Sequence, residues 1–385
     1  MIIKKLLKYL PNESINWKLI EKELLFKFVS EMKNTPQEAK WHGEGDVWTH
    51  TKMVCEELIK LEEYNKLNEL EKLVIFFSAL FHDIAKPACT KVVDGEIRSF
   101  KHPTIGSQIT REFLWKELGL SGCKEYQEIR EAICFLVKYH SEPTYFDFSK
   151  NKEKLVIELS LNNNLTKYYN NKLLSMLATS DVKGRISDSN SIKLSVINEF
   201  KKQCIELNCY ENAFKFNNHY TKFKYLNSDN VWCYDTLYDS SWTEVILICG
   251  LPGTGKDTYI KNNFPNHQII SLDDIREEYK IKPTDNQGEV YNIAKETAKS
   301  YLREKRTFIW NATNITKMIR DKQIKLFHEY NAKVRVIFLE TSYDEMLKRN
   351  NKRKRYVSEK VINDMLEKLE IVEELEANIV EWFCV

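Results

Sequence analysis

Apolar residues recur at helical spacing through the first half of the chain, and near residue 243 the pattern gives way to short apolar runs. Residues 49–63, 70–83, 129–140 and 155–181 place apolar side chains three and four positions apart, which predicts a helix over each. Residues 15–205 contain almost no β-like alternation, so this half reads as all-α. The opening stretch MIIKKLLKYL reads as a short amphipathic helix, because Lys4 and Lys5 interrupt it too early for a signal peptide. Residues 206–242 are rich in Asn, Tyr, Phe and Asp without a clear period, which predicts a connector packed on its neighbours. Beyond it, strands predicted at 245–249, 268–271, 307–310 and 334–339 alternate with helical stretches, the pattern of a parallel α/β sheet. The expected organisation is an all-α domain over 1–205, a connector over 206–242 and an α/β domain over 243–385.

Composition narrows the function classes. The 385 residues suffice for two cores, and 43% hydrophobic with 30% charged residues is ordinary for a soluble protein. The longest apolar stretch, residues 73–81, is far short of the roughly 20 residues of a membrane span, so no membrane association is expected. Nine cysteines without a CxxC pair argue against a disulfide framework or a Cys-rich zinc site, and a reducing cytoplasm is expected. The net charge of +2 creates no global attraction for nucleic acid. Charge is local instead, in the run from Lys348 to Arg355, which by itself reads as a solvated face.

The strand ending at Cys249 runs into Gly250-Leu251-Pro252-Gly253-Thr254-Gly255-Lys256, a GxxxxGK phosphate loop. Backbone N–H groups of such a loop cradle phosphate oxygens, the following helix adds its positive end, and the lysine reaches the terminal phosphates of an NTP. The Ser or Thr that usually holds Mg²⁺ after the lysine is Asp257, with Thr258 next; a carboxylate is a suitable hard ligand. Ligands in an open parallel sheet sit beyond the C-terminal strand ends, where Asp273-Asp274-Ile275-Arg276 and Asn311-Ala312-Thr313-Asn314 are expected. One of the two aspartates reads as a general base, with Asp273 preferred, and the other as a helix cap.

GLPGTGKDTY, DDIR, ATN and RNNKR, in this order, resemble the phage-type 5′-OH polynucleotide kinases, whose pattern is GxPGxGKST, DDxR, DTN and RNxKR. The resemblance implies that Lys256 binds phosphates, Asp273 is the base and Arg276 grips the 3′-phosphate of the acceptor nucleotide. It also implies that Arg353 is a lid arginine at the transferring phosphoryl group. Arg349 and Arg320 fall at family arginine positions, whereas the family aspartate before Thr-Asn is Ala312 here.

In the helical half, His50, His82, Asp83, His102, His140 and Asp181 recur as metal-ligand types. Histidines with carboxylates suit Mn²⁺, Fe, Ni²⁺, Co²⁺ or Zn²⁺ better than Ca²⁺. The spacing, with HDIAKP and ATSDVKGR, resembles the HD phosphohydrolase superfamily. That resemblance implies one metal on His50, His82, Asp83 and Asp181 and a second on His102 and His140, with Asp83 bridging. It further implies a role for Lys86 at the phosphate or leaving group. Asp188 is a nearby alternative to Asp181, and His42 and Glu44 are expected to support the site or touch substrate.

The union of both halves resembles bacterial two-domain RNA end-healing enzymes. It implies hydrolysis of 2′,3′-cyclic and 2′- or 3′-phosphate ends, and NTP-dependent phosphorylation of 5′-OH ends. RNA ends, with DNA ends left open, would be the polynucleotide partner, and a separate ligase would seal them, since no KxDG motif is present. Trp41, Trp48, Tyr139 and Tyr145 are candidates for base stacking. The alternative is a nucleotide phosphohydrolase fused to a nucleoside or metabolite kinase. A vestigial binding module and an RNA-directed toxin are the other readings.

Overall fold

The structure is a computed structural model that describes residues 2–282 and 285–385. The chain divides into two compact units. One holds residues up to Leu120 with Glu125–Phe214, and the other holds Ser121–Lys124 with Lys215–Val385. The boundary thus falls inside 206–242, and the His219–Asn227 helix belongs to the second unit, where Lys222 forms a buried ion pair with Glu374.

The first unit is helical and contains one helix, Glu69–Phe81, that is buried from its second turn onward. A capping box of Asn68 and Glu71 starts it, and every residue from Leu73 to Phe81 is buried. A helix apolar on all sides belongs at the centre of its domain, which explains why the sequence changes so sharply at His82. The unit also holds Val47–Lys60, Lys124–Tyr139, Asn171–Lys183, Asn190–Glu206 and shorter helices.

Two expectations need correction. The helix predicted over 155–181 is broken into Lys152–Leu161, a 3₁₀ turn at Asn162–Asn164 and Asn171–Lys183. Asn163 turns its amide to the Tyr169 carbonyl and to the Ala213 N–H, and Asn170 caps the next helix through Leu173 N. Asparagine side chains thereby supply the backbone bonds that a continuous helix would have made. The helical half also contains a hairpin, strands β1 (Thr90–Val93) and β2 (Glu96–Ser99), which the periodicity did not predict. Its turn is Asp94-Gly95, both at positive φ, the geometry a two-residue hairpin loop requires.

The second unit carries a five-stranded parallel sheet: β3 (Thr243–Cys249), β4 (Gln268–Ser271), β5 (Phe308–Asn311), β6 (Ala332–Glu340) and β7 (Ile379–Cys384). The order is β4-β5-β3-β6-β7, with β7 added to the strands predicted from sequence. Ile246, Ile248, Ile309, Ile337 and Leu339 pack with Ile260 into the core. Strand β3 lies in the middle, so residues 250–256 leave the sheet between β5 and β6, at the switch point where such sheets bind ligands.

Candidate functional site

The six ligand-type residues of the first unit converge. His82 and Asp83 follow the central helix and are 0% and 1% exposed. His50 comes from within Val47–Lys60, Asp181 from the last turn of Asn171–Lys183, His102 begins its helix, and His140 follows Lys124–Tyr139. His50, His82 and Asp181 form one ligand group, and Asp83, His102 and His140 another. The two groups meet at Asp83. Its Oδ2 lies 3.2 Å from His82 Nε2 and 3.6 Å from His50 Nε2, while Oδ1 lies 3.2 Å from His102 Nε2.

The ring orientations fit metal ligation. Nδ1 of His50, His82, His102 and His140 faces the carbonyl of Gly184, Ala79, Ser99 and Val137, at 3.2, 2.8, 2.9 and 2.8 Å. A proton held on Nδ1 leaves the Nε2 lone pair as a ligand, the usual arrangement for a metal-bound histidine. His50 Nε2 and His82 Nε2 are 3.3 Å apart, and two lone pairs so close require a cation or proton between them. Neither oxygen of Asp83 has a well-formed hydrogen bond, although both are buried. Burial alone would raise this carboxyl, but His82 and Lys86 outweigh it and hold Asp83 well below the usual range. Burial, reinforced by His82 and His102, pushes His140 down to about 3, so it stays neutral and able to donate. The donor set therefore suits two transition-metal ions.

Supporting residues complete the cluster. Asp181 is buried and lies 3.0 Å from His50 Nε2, whereas Asp188 is exposed, so position favours Asp181. Glu44 Oε1 accepts from His42 Nδ1 at 2.8 Å and lies 2.9 Å from His50 Nδ1, and these three side chains form a further group of ligand-type atoms. Lys86 is mostly buried with Nζ 2.7 Å from Asp83 Oδ2. Arg185, which sequence reasoning overlooked, lies just past the end of the Asn171–Lys183 helix and forms an ion pair with Asp181; its position four residues after Asp181 was the available signal.

Gly184 sets the spacing between the His50 and Asp181 helices. A Cβ there would lie 2.7 Å from Val54 N and 2.9 Å from Val54 Cα, both backbone atoms. Gly184→Ala is expected to destabilise the protein by about 1–3 kcal/mol through overpacking and to weaken metal binding, because the Gly184 carbonyl orients His50. Thermal unfolding with and without Mn²⁺ measures both effects; an unchanged midpoint in each condition would refute the spacing argument.

The second constellation lies at the C-terminal ends of the sheet. Gly253, Gly255, Lys256, Asp257, Thr258, Asp273, Arg349 and Arg353 line an open cleft of about 270 Å³. Gly253 has φ +85°, and a Cβ on it would sit 2.5 Å from the Met346 carbonyl, so only glycine fits. Lys256 Nζ donates to the Gly250 and Leu251 carbonyls at 2.9 and 3.0 Å. Burial and then Arg353 push Lys256 down to about 8, a field that favours an arriving anion. Asp257 is exposed and accepts from Asn311 Nδ2 at 2.8 Å, which leaves its second oxygen for a cation. Ala312 follows Asn311, so the carboxylate missing there is matched by an amide that fixes Asp257 instead.

Ser271, not either aspartate, caps the Leu272–Glu278 helix, accepting from Asp274 N at 3.2 Å. Both carboxylates are therefore free for other work. Asp273 forms an ion pair with Arg276 and lies 4.0 Å from Arg353 Nη2, whereas Asp274 is 2.9 Å from Arg355 Nη2. Arg276 Nε also donates to Gln287 at 2.6 Å. The basic run is thus no plain solvated face: Arg353 lines the cleft, and Lys354 and Arg355 pair with Glu277.

Two residues that the sequence singled out lie in the interior. Arg320 is fully buried, with Nε 2.7 Å from Glu376 Oε2 and Nη2 2.8 Å from Oε1, so it braces the unit's interior. Its bidentate pairing and burial take it out of the cleft, whereas Arg349 is in it. Trp48 is 1% exposed and its indole N–H bonds Glu21, so no base can stack on it. Residues 245–372, about one third of the chain, match the family model described as an AAA domain. This part is a P-loop NTPase-like domain of kinase type, which implies a nucleotide and Mg²⁺.

Proposed function

We propose that the chain heals RNA ends, with a phosphohydrolase in the helical unit and a 5′-hydroxyl kinase in the α/β unit. The observation that carries the hydrolase half is Asp83, whose two carboxylate oxygens face two separate histidine groups. His50, His82, Asp83 and Asp181 would hold one metal, and His102, His140 and Asp83 the other. Divalent metals in this setting activate a water and neutralise phosphate oxygens. Lys86, beside Asp83, would turn to a phosphate oxygen or the leaving group.

The kinase half rests on one cleft that gathers Lys256, Asp273 and Arg353, with Arg276 bonded to Asp273. Lys256 and the loop N–H groups would hold the NTP phosphates. Arg353 would neutralise the transferring group, Asp273 would accept the proton of the attacking 5′-hydroxyl, and Arg276 would take the acceptor's 3′-phosphate. An arginine placed for an acceptor phosphate favours a polynucleotide over a simple nucleoside. The products, 3′-hydroxyl and 5′-phosphate, are what a separate ligase joins.

A labelled RNA oligonucleotide with 5′-OH and 2′,3′-cyclic phosphate ends tests the reading. Incubated with ATP and Mg²⁺, and then with added Mn²⁺, Ni²⁺ or Co²⁺, it is expected to gain a 5′-phosphate and a 3′-OH. The two reactions should differ in metal preference. Unchanged ends alongside turnover of free nucleotides would replace this reading with the small-molecule one.

A further inference from the structure

Beside the histidine cluster, three side chains from separate elements meet at the surface of the helical unit. Trp41 lies in the loop before the Val47–Lys60 helix, Tyr145 in the 3₁₀ helix Glu142–Phe148, and Lys193 in the first turn of Asn190–Glu206. The Lys193 ammonium is 5.4 Å from the Trp41 ring centroid and 5.7 Å from that of Tyr145. Both rings remain open to solvent, Trp41 at 39% and Tyr145 at 54%.

The Trp41 loop is tied to the neighbourhood of the candidate metal centre by two hydrogen bonds. Gly43 N donates to Ile186 O at 3.0 Å, and Ile186 N donates to Glu44 Oε2 at 2.9 Å. The Trp41 loop is therefore tied to the residue that follows Arg185, which is paired with Asp181. Glu44 itself contacts His50. The loop that carries Trp41 is held in place by residues that contact the ligand-type side chains.

Lys193 is the informative member. It is half-buried, and among the described residues no carboxylate pairs with it. Burial first, and then the positive charges of Arg185 and Lys86, push it down to about 8. Ring contacts alone offset such crowding only weakly at an exposed site. This cation without a counter-ion lies beside two partly exposed rings, one of which also carries the Lys40 ammonium at 4.8 Å. The group has the chemistry of a nucleotide site: rings on which a base can stack by displacing these ammonium groups, and cations for a phosphate.

We propose that Trp41, Tyr145 and Lys193 form a nucleotide subsite for the hydrolase, with a base stacked on the rings and Lys193 on an internucleotide phosphate. The inference rests on the hydrolase reading above and deepens it. Its substrate is then the phosphorylated terminus of a polynucleotide rather than an isolated phosphate ester. Trp41 supplies the main stacking face, Tyr145 the second wall, and Lys193 the contact that a mononucleotide lacks.

The test uses the full chain with Mn²⁺ and three substrates: an RNA oligonucleotide ending in a 3′-phosphate, a nucleoside 3′-phosphate, and 4-nitrophenyl phosphate. Trp41→Ala is expected to raise KM about tenfold for both base-bearing substrates, the size of one lost stack, and Trp41→Phe to restore most of it. Lys193→Gln is expected to raise KM about tenfold for the oligonucleotide alone and to flatten its salt dependence. Equal KM values for wild type and both variants would overturn the subsite, as would an equal loss on 4-nitrophenyl phosphate. If the wild type cleaves none of the three, the hydrolase reading fails by itself. The subsite is then decided by polarisation of a 5′-fluorescein oligonucleotide in EDTA, where about tenfold weaker binding by both variants supports it and equal binding refutes it.

Discussion

Asp83→Ala is expected to lower hydrolysis of a 2′,3′-cyclic phosphate end by about 10³-fold or more while 5′ phosphorylation stays within twofold of wild type. The size follows from geometry, since one buried carboxylate faces both histidine groups and its removal takes a ligand from each. It also removes the negative charge at the junction, where His50 is raised: burial opposes its charged form, but Asp181 and Glu44 outweigh that. The four imidazoles would then face one buried carboxylate fewer, with Asp181 left beside His50. Elemental analysis of the purified variant should find less bound metal, and an activity assay on both ends measures the split. Hydrolysis within tenfold of wild type would remove Asp83 from its assigned place. Loss of kinase activity in a folded variant would refute independent sites.

Asp273→Ala is expected to reduce 5′ phosphorylation by about 10²–10⁴-fold through kcat, leaving the hydrolase untouched. The carboxylate is half exposed in the cleft that holds Lys256, and it is held by Arg276 and approached by Arg353. Its removal leaves those two cations free, so nucleotide binding should be retained or tightened while turnover collapses. Asp273→Asn separates positioning from proton transfer, because the amide can still hydrogen-bond but cannot accept the proton. Asp274→Ala is the matched control, since Asp274 is engaged by Arg355. If the loss followed Asp274 rather than Asp273, the base would be reassigned.

Much of this was legible from the chain alone, for reasons that differ by element. The glycine loop was plain because its chemistry is local: backbone N–H groups and a helix start need only consecutive residues. The strand at 268–271 was placed correctly, and the strand at 379–384 was not anticipated, its Ile379, Glu381 and Trp382 giving no unbroken apolar run. The break at Asn162–Asn164 was hidden by periodicity on either side, because the bonds that replace the helix reach Tyr169 and Ala213. Arg320 was noted only as falling at a family arginine position, and its burial was not legible: its charge is satisfied by Glu376, fifty-six residues away, in the interior.

The sequence by itself determined the two halves, the phosphate loop and the residue types able to bind metal. These depend on periodicity and on neighbours a few positions apart, which a linear reading contains. Only the tertiary structure decided that Asp83 faces two histidine groups, that Asp181 rather than Asp188 meets His50, and that Ser271 frees both aspartates from capping. It alone brought Trp41, Tyr145 and Lys193 together from three distant segments. The physical reason is common to all of these. Ligand geometry, burial and charge pairing depend on distances through space, and packing around the largely buried Glu69–Phe81 helix and the central strand β3 sets those distances.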